Sequence, residues 1–390
     1  MSTMKYWPRS IECSRTNDRI SAEAASQNCL PLHSSAEDRV YEPFAVLQLF
    51  AERNVGLLAR LAQLALLVLM CGVLRAQEYS FRYFGVAEGL NNLAVRQIYQ
   101  DHVGFIWVST ENGIFRYDGE RFEAFGQAQG IPSNSGATFG DAPDGSLLVG
   151  GNFGIYHLEG AHFEKLQVPF KTVSWGQGIQ SDGKGHTYIG TNSGLMELYS
   201  EPGKDQFDVR ALPQAPGTSG QNVDGILLDG DVVWYGCGHE LCRMDDKGTR
   251  VLGRESGLPD RALLEIRKDG SGNLWVRAQN SGMFELPFGQ TRFREPDLPV
   301  APSEIGGVPA IDDGGRILLP SPDGLFIHGE QGWQKIDRSS GLRGTVYAAF
   351  EDRQHSLWIG LAGRGLAQWQ GLPGMGELLG RKRTGKRHSL

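Results

Sequence analysis

An Asp followed by a Gly three residues later recurs along the chain, at Asp101–Gly104, Asp182–Gly185 and Asp269–Gly272. Repeated carboxylates invite a reading as general acids and bases, but these all occupy one position of one short frame. A turn Asp accepts backbone N–H bonds and the Gly takes a positive φ, so their expected role is structural. Other residue types that could do chemistry are sparse. The nine His residues have no metal-ligand spacing, no Gly-rich phosphate loop precedes a helix, and no arginine cluster stands out. The densest grouping is Cys237, His239 and Cys242 in "GCGHELC". An even Cys pair in an oxidising compartment suits a disulfide across a hairpin. Free thiols, or a metal site with no fourth ligand in view, are the alternatives. No catalytic residue, metal or cofactor is expected.

The elements that carry these residues repeat. "DHVGFIWVSTENGIFRYDG" at 101–119 and "DGSGNLWVRAQNSGMFEL" at 269–286 share one pattern, and self-similarity at a fixed period precedes any other fold assignment. Its anchor is Trp107, then Leu148, Tyr188, Trp234, Trp275, Leu318 and Trp358, seven copies at steps of 40 to 46 residues. "VRQIYQD" alternates apolar and polar residues as a half-buried strand does, and "FIWVST" is more continuously apolar. "ENG" turns into "IFRYD", and "GERFEAF" adds a more polar fourth strand. Four antiparallel strands in about 40 residues, repeated, mark a β-propeller blade. The expected fold is all-β, a seven-bladed β-propeller over residues 78–371 with the anchor Trp between neighbouring blades. The seventh copy stops after three strands, whereas "YSFRYFGVAEGLNN" at 79–92 matches the outer-strand-plus-connector pattern. That N-terminal strand is therefore expected to pair near Leu366–Trp369 and close the ring, since an open edge invites aggregation.

Composition bounds the rest. With 390 residues, 40% hydrophobic, the chain can bury a sizeable core, and 53 Gly without a collagen period read as many tight turns. A net charge of −7 leaves no electrostatic footprint for nucleic acid. Residues 1–54 are polar and aperiodic and read as a disordered extension or an over-extended start of translation. Residues 55–76 carry a basic stretch before an apolar run from Leu61 to Leu74, too short for a comfortable span, so an export signal is favoured over an uncleaved anchor or a buried helix. Cys13, Cys29 and Cys71 lie in or before that run. Residues 372–390 end in a basic tail that reads as solvated and disordered, or as the scar of a truncated gene.

The frame D-x-x-G-x-[LI]-W-[IV]-x-[TS]-x-x-G-[LI], with connectors "EGLNN", "QGIPS", "SGLPD" and "SGLRG", resembles two-component regulator propeller repeats. The resemblance covers nearly all of 78–371. Blade four departs from it by a shortened first turn, "DGDVVW", and blade seven by His355 in place of the Gly. It implies the periplasmic sensor region of a bacterial receptor ahead of a histidine kinase or diguanylate cyclase, here with no output domain following. The expectation is a periplasmic, non-enzymatic module that binds a small molecule or oligosaccharide and works with a downstream kinase or cyclase, touching the membrane only through its N-terminal segment. A carbohydrate-active lyase or glycosidase, or a protein-binding scaffold, is the alternative. An enzyme needs convergent titratable groups at one mouth of the ring, whereas the Asp–Gly spacing differs from that of the sialidase Asp box. The expected ligand face combines loops entering the inner strands with second-to-third-strand hairpins. It carries Asn92, Asn134, Trp175, Asn222, Arg261 and Arg343 from the first set and Glu111, Asn192, His239, Asn280 and Arg364 from the second. Trp175 in "TVSWGQG" stands out, because an exposed Trp can stack on a sugar ring, the alternative being a plain inter-blade filler.

Overall fold

The structure, a computed structural model, describes residues 79–132, 136–200, 206–329 and 331–370, together with Arg60 and Gln63. The segments 1–54 and 372–390, most of 55–76, and Asn134 lie outside the described residues. The described residues from 79 to 370 belong to one compact unit. Seven sheets follow one another along the chain and are meandering and antiparallel, the ring of a seven-bladed β-propeller. Blade one is typical: Val95–Gln100, Ile106–Thr110, Gly113–Tyr117 and Phe122–Phe125 pair in sequence order. Blades two to seven begin at Thr138, Ile179, Val223, Leu263, Ala310 and Val346.

Phe81–Phe84 pairs antiparallel with Gly365–Gln370 in the register Phe81↔Trp369 to Phe84↔Leu366, so the N-terminal strand completes blade seven. Tyr83 Oη donates to Gly341 O at 2.8 Å and accepts from the Arg343 N–H at 3.0 Å, tying that strand to the connector entering the blade. Blade five departs from the four-strand pattern. It has three strands, and in place of a fourth there is one bridge, Glu285↔Arg294. Pro296, Pro299 and Pro302 follow that bridge, and each removes an N–H that a ladder would use.

Each apolar cluster spans neighbouring blades. Trp107 packs with Phe139, Val149 and Phe163 of blade two, Trp275 with Ile317 and Phe326 of blade six, and Trp358 with Phe115 and Phe122 of blade one. The indoles have a second role that the pattern alone did not reveal. Trp107 Nε1 donates to Asp101 Oδ2 at 2.7 Å, Trp275 to Asp269 at 2.8 Å and Trp358 to Asp352 at 2.7 Å. The other carboxylate oxygen caps the turn: Asp101 Oδ1 accepts the N–H of Gly104 at 2.8 Å and of Phe105 at 3.0 Å. One buried Asp thus satisfies the turn and the inter-blade Trp together, which explains their fixed spacing of six residues. Where the anchor is Leu318, Asp312 bonds the Arg316 side chain instead, at 2.6 Å.

The connectors also have a physical reason. Val86–Glu88, Gln127–Gln129, Arg254–Ser256 and Arg338–Ser340 are single 3₁₀ turns, each ending on a left-handed Gly. At Gly89, with φ 90°, a Cβ would stand 2.3 Å from Phe122 O, so the connector lies against the next blade only because no side chain intervenes. The apolar residue that follows, Leu90, Ile131, Leu258 or Leu342, is buried.

Candidate functional site

Two kinds of loop meet on one face of the ring: connectors that enter each inner strand and hairpins joining second to third strands. At its centre the connector into blade three crosses the ring axis. Gly176 O accepts from Gln97 Nε2 of blade one at 2.7 Å and from Thr138 Oγ1 of blade two at 3.3 Å. Gln177 exchanges two 2.9 Å hydrogen bonds with the Ile266 backbone of blade five, and its own carbonyl accepts from the Ile226 N–H of blade four at 3.1 Å. Ser174 Oγ donates to Val223 O at 2.6 Å. One pentapeptide, Ser174–Gly178, thereby bonds to the inner strands of several blades and floors the channel. Gly176 takes a left-handed φ of 80° in the middle of it, a backbone conformation that favours Gly.

Trp175 stands on this floor with 37% of its surface exposed, whereas Gln177 beneath it is buried. The inner strands of blades one, four, five and seven each contain a β-bulge. The bulged residues of blades one and seven, Arg96 and Tyr347, meet as a cation–π pair with the guanidinium 4.5 Å from the ring centroid. Arg96 also ion-pairs with Glu111. Beside the floor, burial raises the Asp224 carboxyl above its ordinary range against hydrogen bonds from Ser174 and Asn222, and the Glu265 charge raises it further. Glu265 itself is buried and held by Arg277, with Nη2 3.0 Å from Oε1.

The expected face residues divide. Trp175 lies on the floor, Asn222 bonds Asp224 next to Ser174, and Glu111 ion-pairs with Arg96. Asn92 Oδ1 accepts the Ala94 N–H at 3.3 Å, an ordinary turn contact, and Asn192 accepts from Ser193 Oγ at 3.3 Å. Asn280 takes a left-handed φ of 56° as a hairpin turn residue. Arg343 and Arg364 are exposed neighbours, the Arg364 chain lying over Gly344. Arg261 Nη1 donates to Asp260 O at 2.8 Å at the rim. Among the described residues, no hydrogen bond, ion pair or ring contact joins these three Arg residues to Trp175. Arg96, Gln177, Asp224 and Tyr347 were not anticipated. The double Gly around Gln177 in "WGQG" is the one sequence signal for them, since it marks a close backbone approach.

A second concavity of about 540 Å³ lies at the rim between blades four and five, lined by His239, Glu240, Arg254, Glu255 and Asp260 among others. His239 Nδ1 lies 2.6 Å from Asp260 Oδ1. That hydrogen bond and the Arg254 pair hold the Asp260 carboxyl below its ordinary range. A Cys237–Cys242 disulfide, with an S–S distance of 1.97 Å, closes the hairpin that presents His239. With Cys237 and Cys242 bonded to each other, neither thiol is available to a metal.

Residues 89–112, spanning the first connector, the inner strand and the second strand of blade one, match the family model of the two component regulator propeller. That segment is similar to one two component regulator propeller repeat. No curated protein matches its sequence. Among solved structures, the extracellular domains of a hybrid two component system and of a one component system, both from B. thetaiotaomicron, align with TM-score 0.59 at 19% identity. These alignments cover 76% of this chain and 42% and 40% of those chains, so the propeller spans less than half of either neighbour. Virginiamycin B lyase from Staphylococcus aureus aligns with TM-score 0.56 at 12% identity, over 76% of this chain and all of that one. At such identities the likeness is one of fold. Among the described residues, no helix is long and apolar enough to cross a membrane.

Proposed function

We propose that this propeller is the ligand-binding sensor module of an exported two-component-type receptor and that it binds without catalysing a reaction. The observation that supports this most is the floored mouth. Ser174–Gly178 closes the ring axis and carries a partly exposed Trp175 on a hydrogen-bonded base, with the Asp224 carboxyl next to Ser174. An indole face with polar groups at its edge favours a ligand that has both an apolar face and hydroxyls, as a sugar ring does. Asp224 and Glu265 are committed to Ser174, Asn222 and Arg277, so their roles are positional. Binding would shift the populations of states that an output kinase or cyclase reads.

The test is a thermal-shift screen of neutral oligosaccharides on the full chain, with glycan products monitored in parallel. A true ligand at 100 times its dissociation constant stabilises by about 2.7 kcal/mol. That shift is expected to vanish in Trp175→Ala, read against that variant's own ligand-free melting temperature because the residue is only 37% exposed. Turnover of any glycan, lost on mutating a residue of this face, would replace this proposal with the lyase or glycosidase reading. Stabilisation that survives Trp175→Ala would remove the site from the mouth.

A further inference from the structure

The opposite face, built from first turns, contains a grouping that none of the above uses. His355 stands where the repeat frame places a turn Gly, and it keeps the left-handed backbone of that Gly with φ 62°. Gly104, Gly185, Gly272 and Gly315 occupy the same position with φ from 74° to 116°. A non-Gly residue there is disfavoured by roughly 1 kcal/mol or more, so this side chain is retained against a local cost. Its Nδ1 lies 2.9 Å from Asp313 Oδ2, in the first turn of blade six, and 3.2 Å from Glu351 Oε1, at the end of the inner strand of blade seven.

We propose that Asp313, Glu351 and His355 form a divalent transition-metal site that links blades six and seven. The three donor atoms all lie within 4.8 Å of one another. Two ligands bound side by side at about 2.1 Å from one metal stand about 3.0 to 3.4 Å apart, for octahedral or tetrahedral angles. The 2.9 and 3.2 Å separations match that spacing. An imidazole with two carboxylates suits Zn²⁺ and its first-row neighbours and leaves coordination positions for water. An outer contact is also in place: Glu351 Oε2 accepts the Asp313 N–H at 3.0 Å, fixing the carboxylate that presents Oε1. Spacing along the sequence conceals the set because Asp313 lies in a different blade from its two partners.

The test is Zn²⁺ titration of the EDTA-treated full chain by calorimetry, with melting measured alongside. The expected result is one Zn²⁺ per chain and a higher melting temperature. His355→Gly restores the frame residue and relieves the left-handed backbone, so its metal-free melting should equal or exceed wild type. Its zinc affinity should fall by more than the roughly tenfold expected for loss of even an outer contact. Glu351→Gln should lose affinity in the same way. A wild-type chain that binds no zinc, or a His355→Gly chain that binds it equally well, overturns the proposal and leaves an ordinary His–carboxylate ion pair. Neither outcome bears on ligand binding at Trp175, which lies on the other face.

Discussion

Phe84→Ala tests ring closure where the chain's first strand meets its last blade. Phe84 is 1% exposed, and its ring centroid lies 5.2 Å from that of Tyr117, 5.9 Å from Phe122 and 5.4 Å from Trp358. It therefore packs on blades seven and one together, at the seam where the ring is sealed by pairing between strands nearly 300 residues apart. Truncating a buried Phe to Ala costs about 3–5 kcal/mol from lost transfer energy and the cavity left behind. The propeller spans Phe81 to Gln370. At about 2.1 cal/mol/K per residue its unfolding entropy is of order 0.6 kcal/mol/K, so the melting temperature should fall by roughly 5–8 °C. The proper control is Val86→Ala in the same segment, since Val86 is 64% exposed and should matter by under about 0.5 kcal/mol. Scanning calorimetry of the two variants with light scattering reads both quantities. Aggregation should begin earlier for Phe84→Ala, because a loosened first strand bares the edge of Gly365–Gln370. If Phe84→Ala melts no lower than Val86→Ala, the seam does not hold the ring and the closure reasoning fails.

Two further outcomes follow from buried carboxylates. Asp352→Ala should destabilise by about 3–5 kcal/mol in urea denaturation, because it leaves the indole N–H of Trp358 and the N–H groups of Gln354 and Ser356 without their acceptor. A loss under about 1 kcal/mol would contradict the shared-acceptor account. Burial raises the Asp141 carboxyl above its ordinary range, and its Oδ1 is buried without a partner. The folded state therefore holds that proton to higher pH than the unfolded chain, and stability falls as pH rises from the ordinary carboxylate range through the raised one. Asp141→Asn should then stabilise the ring at pH 7, with the gain shrinking as pH is lowered and the wild-type carboxyl protonates. An equal effect at both pH values would refute it.

The blades were legible in the sequence because each is local: turn Asp, anchor Trp and hairpin Gly recur within about 40 residues, and strand alternation follows from the pleat. Closure was legible too, since an incomplete last copy and an unmatched first strand leave a single complement. Individual blades were less so. Blade five resembles the frame closely through Trp275 and still lacks a regular fourth strand, because Pro296, Pro299 and Pro302 act beyond the conspicuous motif.

The candidate sites depend on contacts between blades, which no spacing along the chain records. Gln177 reaches the Ile266 backbone across 89 residues, and Arg96 meets Tyr347 only because blade one adjoins blade seven. Arg261 and Arg343 carry connectors of the expected face, yet among the described residues no hydrogen bond, ion pair or ring contact joins either to Trp175. The sequence by itself determined the repeat, the fold it builds, the sealing strand and the structural use of the turn Asp. Only the tertiary structure decided what fills the axis, that Arg96 meets Tyr347, and that Asp313 meets His355. The physical reason is that backbone turns and strand faces answer to nearest neighbours in sequence, while a site in a ring is assembled from blades that meet only once the ring has closed.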